Sequence, residues 1–437
     1  MKLFGSMENR DGILHIGGIS VEDLRMRYGT PLYVMDEDLI RANIKNFKEN
    51  FKSKKLNTEI LYASKAFLNS YMAKLVRDEN LSIDVVSAGE LYTVLRQNFP
   101  SERIYFHGNN KSESELTMAV ENRIGRVILD NIEEARRLNE LVLVKEGETT
   151  YRQKVQLRVN PGIDAHTHEY IKTTTNDSKF GESIFDEQLK EDILEINKME
   201  KLDFRGLHCH IGSQIFEGAS FVEASNRMIE YISSLSDLGI EVKELNLGGG
   251  FGIYYSEGDR PLDLNIHFKN LIENIERLVE EKGLGLEKIL IEPGRSLVAN
   301  AGTTLYTVGG VKKTYGGKEY IFIDGGMTDN IRPALYQAKY EADIGNDLGR
   351  KDKKLFTIAG KACESGDIIV RDCETAEPKP GDIIAVASTG AYCYSMSSNY
   401  NMILKPPVVF VEKGISKLTT RRQKFEDLVR NDIYEEI

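Results

Sequence analysis

Residues 59–107, EILYASKAFLNSYMAKLVRDENLSIDVVSAGELYTVLRQNFPSERIYFH, hold the pattern that decides the fold. The apolar runs EILYASK (59–65), SIDVV (82–86) and RIYFH (103–107) read as strands. The stretches between them, 67–77 and 88–97, carry apolar residues at helical spacing. Such alternation implies a parallel sheet, because parallel neighbours need a crossover between them. Working outward, the same unit recurs at RVILD (126–130), KVQLRVN (154–160), FRGLHCH (204–210), KELNL (243–247) and KILIE (288–292). Helical spacing fills 112–121, 131–141, 183–197, 219–237 and 267–282, and a further helix at 37–51 precedes the first strand. Eight such units fit a closed (β/α)8 barrel. The span 36–300 has 265 residues, close to the ~250 of that architecture.

Beyond residue 300 the texture changes. TTLYTVGGV, EYIFIDGG, KLFTIAG, DIIVRD, DIIAVAS and PPVVFVE are short β runs broken by Gly, Pro, Asp and Lys. No long helical pattern intervenes before the terminal QKFEDLVRNDIYEEI, so this part reads as a mainly antiparallel β domain. GTPLYVMD (29–36) has strand character but no partner in the barrel. Assigning it to the second domain gives 1–35 with 301–437, or 172 residues.

The 57 Lys and Arg against 68 Asp and Glu leave a net charge of −11. That argues against nucleic acid, whose phosphates call for a basic surface. No apolar run reaches the ~18 residues of a membrane span, and MKLFGSMENRDG lacks the apolar stretch of a secretory leader. The four cysteines, Cys209, Cys363, Cys373 and Cys393, are too few and too scattered for a disulfide scaffold. The expectation is a cytoplasmic enzyme or small-molecule binder.

Functional residues of this barrel type gather at the C-terminal strand ends. Here those ends are Lys65, Asp84, His107, Asp130, Asn160, His210, Gly248 and Glu292. A lysine at the inner end of a strand is costly to bury as a cation, and a partly neutral amine can form a Schiff base with an aldehyde. It can equally snorkel out of the barrel mouth. Gly248-Gly249-Gly250-Phe251-Gly252 follows strand seven and Glu292-Pro293-Gly294-Arg295 follows strand eight. Loops in those two places form the usual phosphate site of the fold, with backbone N–H groups and Arg295 as donors. A carboxylate at 292 would keep a pyridine nitrogen protonated, which favours the ring as an electron sink; a salt bridge to a neighbouring Lys or Arg is the plainer reading. His208 and His210 alternate on one strand and so suit a shared metal ion. Alternatively His210 lies flat on an aromatic cofactor with Ser213 nearby.

Together YASKAF (62–67), HCHIGSQ (208–214), NLGGGFG (246–252), EPGRSLVANAG (292–302), CESGD (363–367) and GAYCYSMSSNYN (390–401) resemble the diaminopimelate decarboxylases, pyridoxal-phosphate (PLP) enzymes of the alanine racemase-like fold type. NPGIDAHTHEYIKT (160–173) and DSKFG (177–181) add to the likeness, which runs from about residue 29 to 412. The resemblance implies that Lys65 binds PLP covalently, that His210 stacks on its ring and that Glu292 meets the ring nitrogen. It places Ser213, Gly248, Gly249, Gly250, Gly294, Arg295 and Tyr392 around the phosphate and Asp84 near the lysine linkage. It also implies a homodimer with shared active sites, Cys363 (a candidate proton donor) and Glu364 coming from the partner chain. Meso-diaminopimelate carries both charges at its distal end. Arg295 and Arg332 (in NIRPALY) suit its distal carboxylate, assisted by Tyr336 and Tyr392, and Glu364 its ammonium; Arg332 and Tyr336 also suit plain interface packing. The implied activity is decarboxylation to L-lysine and CO2. Alternatives are a sibling decarboxylase of another basic amino acid, a non-catalytic PLP carrier, or a metal-dependent barrel hydrolase.

Overall fold

The computed structural model describes residues 1–142, 151–163 and 178–433. The chain divides into two compact units, one of residues 44–252 and 260–294, the other of residues 1–43, 253–259 and 295–437. Compared with boundaries at 36 and 300, the second unit also takes the start of helix Glu37–Asn50, residues 253–259 and residues 295–300. Periodicity locates elements, whereas unit membership follows contacts, so these short segments were not separable by pattern.

The first unit is the barrel. Its strands are β1 (Asn57–Ala63), β2 (Ser82–Val85), β3 (Ile104–Phe106), β4 (Arg126–Leu129), β5 (Gln153–Asn160), β6 (Leu202–His208), β7 (Glu244–Asn246) and β8 (Lys288–Ile291). Every neighbouring pair is parallel, and β8 returns to β1 with Lys288 opposite Asn57 and Ile291 opposite Ile60, which closes the ring. Closure leaves no unpaired edge. The crossover helices start where the sequence offers a cap: Asn69, Ser87, Ser112 and Asn131 each accept a backbone N–H of the first turn. Inside the barrel, Leu61, Tyr105, Ile128 and Leu290 form an apolar layer. Near the strand starts, buried Arg126 is clamped by Glu244 through Nε (2.9 Å) and Nη2 (2.5 Å), with Gln156 also donating to Glu244 at 2.8 Å.

The second unit is a β domain. Gly302–Lys313 is its central strand and pairs antiparallel with Glu319–Ile323, Ile383–Val386 and Leu32–Asp36. Leu32–Asp36 is the expected N-terminal contribution, and it also pairs in parallel with Val408–Glu412. Most pairings in the unit are antiparallel, and a small separate sheet joins Glu8–Arg10, Ile13–Ile16 and Ile19–Ser20. The core gathers Leu14, Val21, Leu24, Leu32, Val34, Leu305, Ile383, Ala385 and Val411. Of the terminal helical pattern only the single turn Phe425–Leu428 forms within the described residues, because its flanking residues are mostly exposed and offer little apolar surface to bury. No helix among the described residues is long and apolar enough to cross a membrane.

Candidate active site

The loops that follow β6, β7, β8 and β1 interlock by backbone. Ile215 N–H donates to Gly250 O (2.9 Å), Gly252 N–H to Ile215 O (3.0 Å), Glu292 N–H to Gly248 O (2.9 Å) and Ala63 N–H to Pro293 O (3.2 Å). The approach is too close for side chains: a Cβ at Gly249 would fall 2.2 Å from Glu292 O, and one at Gly250, where φ is +108°, 2.4 Å from Gly212 O. This explains the glycine run independently of any ligand, and it leaves a rim of bare backbone at the strand ends.

Glu292, one residue beyond β8, is buried. Its Oε1 accepts from Asn246 Nδ2 at 2.7 Å and lies 2.9 Å from His107 Nε2; its Oε2 meets His208 Nε2 at 3.2 Å. Burial alone would raise its pKa, but the two imidazoles outweigh that and hold the carboxyl well below its ordinary range. Glu292 is therefore an anion. The expected Lys or Arg partner is replaced by two histidines and an amide. Burial pushes His208 down to about 4, so it is neutral; with Nε2–H directed at Glu292, its Nδ1 is a bare acceptor.

The metal reading paired His208 with His210, and the structure separates them. His208, last in β6, turns to Glu292, whereas His210, two residues on, accepts the Gly249 N–H on Nδ1 at 3.2 Å. An accepting Nδ1 puts the proton on Nε2. Burial of the ring nitrogens and the nearby Lys65 charge keep His210 well below its usual pKa. His107, His208 and Glu292 do place three ligand atoms within 4.8 Å of one another, but their spacing is that of the hydrogen-bonded and ion-paired contacts just described.

Lys65 sits on the 3₁₀ turn Ser64–Ala66 beyond β1 and is exposed. The expectation of an amine buried at the inner strand end is thus corrected: the strand stops at Ala63, and the side chain rises from the turn. Its charge acts on Asp84, Glu90 and His210. Asp84 on β2 is fully buried, and neither carboxylate oxygen has a hydrogen-bond partner among the described residues. Burial raises its pKa against the opposing charges of His107 and Lys65. Ser213 is half-buried in the β6 loop that meets Gly250. A Cβ at Gly294 would lie 2.9 Å from that of Ala63.

The second unit holds the remaining expected residues. Arg295 and Arg332 are both buried and share one acceptor, the Tyr255 hydroxyl, at 2.7 and 3.1 Å. Arg332 also donates to Tyr340 Oη at 2.6 Å. Tyr392 lies beneath both guanidinium groups, 4.7 and 5.6 Å from its ring centre. Its φ of +66° is strained for a side chain of that size. Burial opposes the charge on Arg332, but the Tyr255 and Tyr340 hydroxyls overcome it and its pKa is raised. Tyr336, expected to assist with the distal carboxylate, is half-buried and makes no hydrogen bond or ring contact among the described residues, and the tyrosine that Arg332 meets in this segment is Tyr340. Cys363 and Glu364 are exposed on a loop that Asp367 fastens by accepting from Met327 N–H (2.6 Å) and Ala362 N–H (2.8 Å). All four cysteines are free thiols. His166, His168 and most of NPGIDAHTHEYIKT lie outside the described residues, as does the first residue of DSKFG.

Asn246, His107, Tyr255 and Tyr340 were not singled out from the sequence as partners of these groups. His107 had a signal, its strand-end position; the tyrosines stand in runs without a motif.

The ring thus sets side by side a glycine rim beyond β7, an anionic carboxylate beyond β8 and a lysine beyond β1. Residues 37–299 match the family model described as pyridoxal-dependent decarboxylase, pyridoxal binding domain, which sets the class. The diaminopimelate decarboxylase of Bacillus subtilis (strain 168) is 48% identical, with 98% of this chain and 97% of that one covered. That of Staphylococcus aureus (strain COL) is 44% identical over 97% and 98%. The crystal structure of the M. jannaschii diaminopimelate decarboxylase in co-complex with L-lysine superposes with a TM-score of 0.91 at 33% identity, covering 98% of both chains. The chain belongs to the diaminopimelate decarboxylase family.

Proposed function

We propose that the protein removes CO2 from meso-2,6-diaminopimelate to give L-lysine, with PLP as cofactor, as a cytoplasmic homodimer. The residues present fit the cofactor: Glu292 is a buried anion, and Asp84 is a buried carboxylate without a hydrogen-bond partner among the described residues. Lys65 would bind it covalently, Asp84 lie near that linkage, His210 cover a ring face and Glu292 meet the ring nitrogen. Its phosphate would be held by Ser213, Gly248, Gly249, Gly250, Gly294, Arg295 and Tyr392. When bound, PLP supplies an electron sink for the pair left by departing CO2. Glu292, being ionised, favours the positive charge that makes such a sink effective. His210, neutral and with Nδ1 engaged by Gly249, presents a ring face without a competing charge. The partner subunit's Cys363 would return a proton to Cα, and the partner subunit's Glu364 would meet the distal ammonium.

The observation that carries the substrate is Arg332. A buried guanidinium kept charged by two tyrosine hydroxyls, with no carboxylate paired to it among the described residues, is a cation available to an incoming carboxylate. Diaminopimelate keeps a distal carboxylate through the reaction; ornithine and lysine have none. Purified protein loaded with PLP and offered meso-diaminopimelate, lysine and ornithine should release CO2 from the first at least about 10²-fold faster, as expected where a built-in polar partner goes unmet. Comparable rates on ornithine or lysine would make the protein a sibling decarboxylase instead.

A further inference from the structure

The side chains that grip Glu292 form a connected set. Asn246 spans two features at once: its Nδ2 donates to Glu292 Oε1 (2.7 Å) while its Oδ1 accepts from Gly248 N–H (3.0 Å). His208 closes the other carboxylate oxygen at 3.2 Å, and His107 stands 2.9 Å from the first, its ring edge-on to His208 at 4.8 Å. Asn246, His208 and His107 are themselves buried, so water cannot replace any of them. The result is a carboxylate fixed in the orientation set by β3, β6 and β7 and tied to the first glycine of the rim.

We propose that Asn246 and His208, with His107 alongside, are positioning residues that keep Glu292 ionised and aimed, and that Asn246 couples this carboxylate to the glycine rim so that the two ends of the cofactor site are set together. The inference rests on the PLP reading above. The charged and titratable groups that face Glu292 are His107 from the end of β3, His208, Cys209 and His210 from β6 and its continuation, Asp84 from β2 and Arg158 from β5. Asp84 and Cys209 do not favour its ionisation, and Arg158 has Asp130 as its first-ranked counter-charge. His107 and His208 are therefore what offsets burial, and Asn246 adds a direct amide donor to Oε1.

The consequence is a displaced acid limb. In the wild-type protein the groups around Glu292 hold its carboxyl well below the ordinary carboxylate range. Without its donors the carboxyl is still buried, burial raises its pKa, and it takes up a proton as pH falls. A neutral acid cannot pair with a positive ring nitrogen, so PLP affinity should fall by about tenfold per pH unit below the new pKa.

The test titrates PLP into apoprotein from pH 5.5 to 9, following absorbance and protein fluorescence, for wild type, His208→Phe, His208→Gln and Asn246→Ala, each also in a Glu292→Gln background. The phosphate's second ionisation at about 6 and the need for a neutral lysine amine give wild type a pH dependence of its own, so each profile is read as a ratio to wild type. In that ratio His208→Phe and Asn246→Ala should show an added acid limb. His208→Gln, which retains an N–H donor, should bring the ratio back to a constant, and in the Glu292→Gln background no variant should show the added limb relative to Glu292→Gln alone. A general loosening of the barrel would weaken binding by the same factor at every pH and persist without Glu292; either result overturns the proposal, as does a constant ratio in both donor variants. Should His208→Phe fail to fold, Asn246→Ala bears the same expectations. A wild-type protein that binds no PLP, or a Lys65→Ala variant with an unchanged cofactor spectrum, sinks the reading of function rather than the positioning role alone.

Discussion

At the scale of single residues, burial decides which charges the molecule keeps. Glu292 and Asp329 are both buried acids, yet they go opposite ways. Glu292 has imidazole and amide donors on both oxygens. Asp329 has the Gly326 N–H at 3.0 Å and the Thr328 hydroxyl at 3.4 Å, and it faces Asp324 and Asp367. Burial, with those two carboxylates, pushes it up to about 7. The native state therefore binds a proton more tightly than the unfolded chain does, so this contribution is complete below the ordinary carboxylate pKa near 3.8 and is lost as pH rises through about 7. Asp329→Asn removes the titration. Its melting temperature relative to wild type should rise by several degrees from pH 5 to pH 8; differential scanning calorimetry at the two pH values checks this, and an unchanged difference between them would show that Asp329 does not titrate in that window.

At the scale of elements, the barrel places opposite kinds of chemistry at its two ends. The strand starts carry a structural ion pair, Arg126 with Glu244, each the first residue of its strand and both buried. Glu244→Ala leaves the Arg126 guanidinium buried without its counter-charge, and such a break costs about 3–5 kcal/mol. Urea unfolding should show a loss of that size, and Glu244→Gln, which keeps one acceptor, a smaller one. The strand ends carry the groups of the proposed site, and this division governs what could be read from the sequence. Lys65, Asp84, His210 and Glu292 are legible because position along a strand is a one-dimensional property visible as a periodic pattern. Which residues touch is an angular property of a closed ring. Asn246 lies 46 residues from Glu292 and on the adjacent strand, whereas His107 comes from β3 and reaches the same carboxylate across the interior. Nothing in the local spacing of either residue announces that. The Arg332–Tyr340 contact was hidden for a related reason: the short helix ends at Tyr336 and the chain turns at Gln337, with φ +53°, bringing Tyr340 back to the guanidinium.

At the scale of the whole molecule, the proposed homodimer gives the exposed Cys363 and Glu364 a testable role. Asp367 fastens their loop at two backbone N–H groups, and Lys361 N–H donates to Gly325 O at 2.9 Å, so the loop is shaped while these two side chains remain uncovered. A loop built this way suits delivery of a proton donor and an acid into a second copy of the chain. If the sites are shared, Lys65→Ala and a Cys363→Ala/Glu364→Ala double variant are each nearly inactive for reasons lying on different chains. After mixing and subunit exchange, half of the dimers are mixed, and each mixed dimer assembles one site with both lysine and loop intact alongside one lacking both. Activity should then return to about a quarter of wild type, the share expected for random pairing in a two-fold assembly. Sites complete within one chain would leave the mixture as inactive as its components, and Cys363 and Glu364 would then owe any effect on turnover to their own subunit.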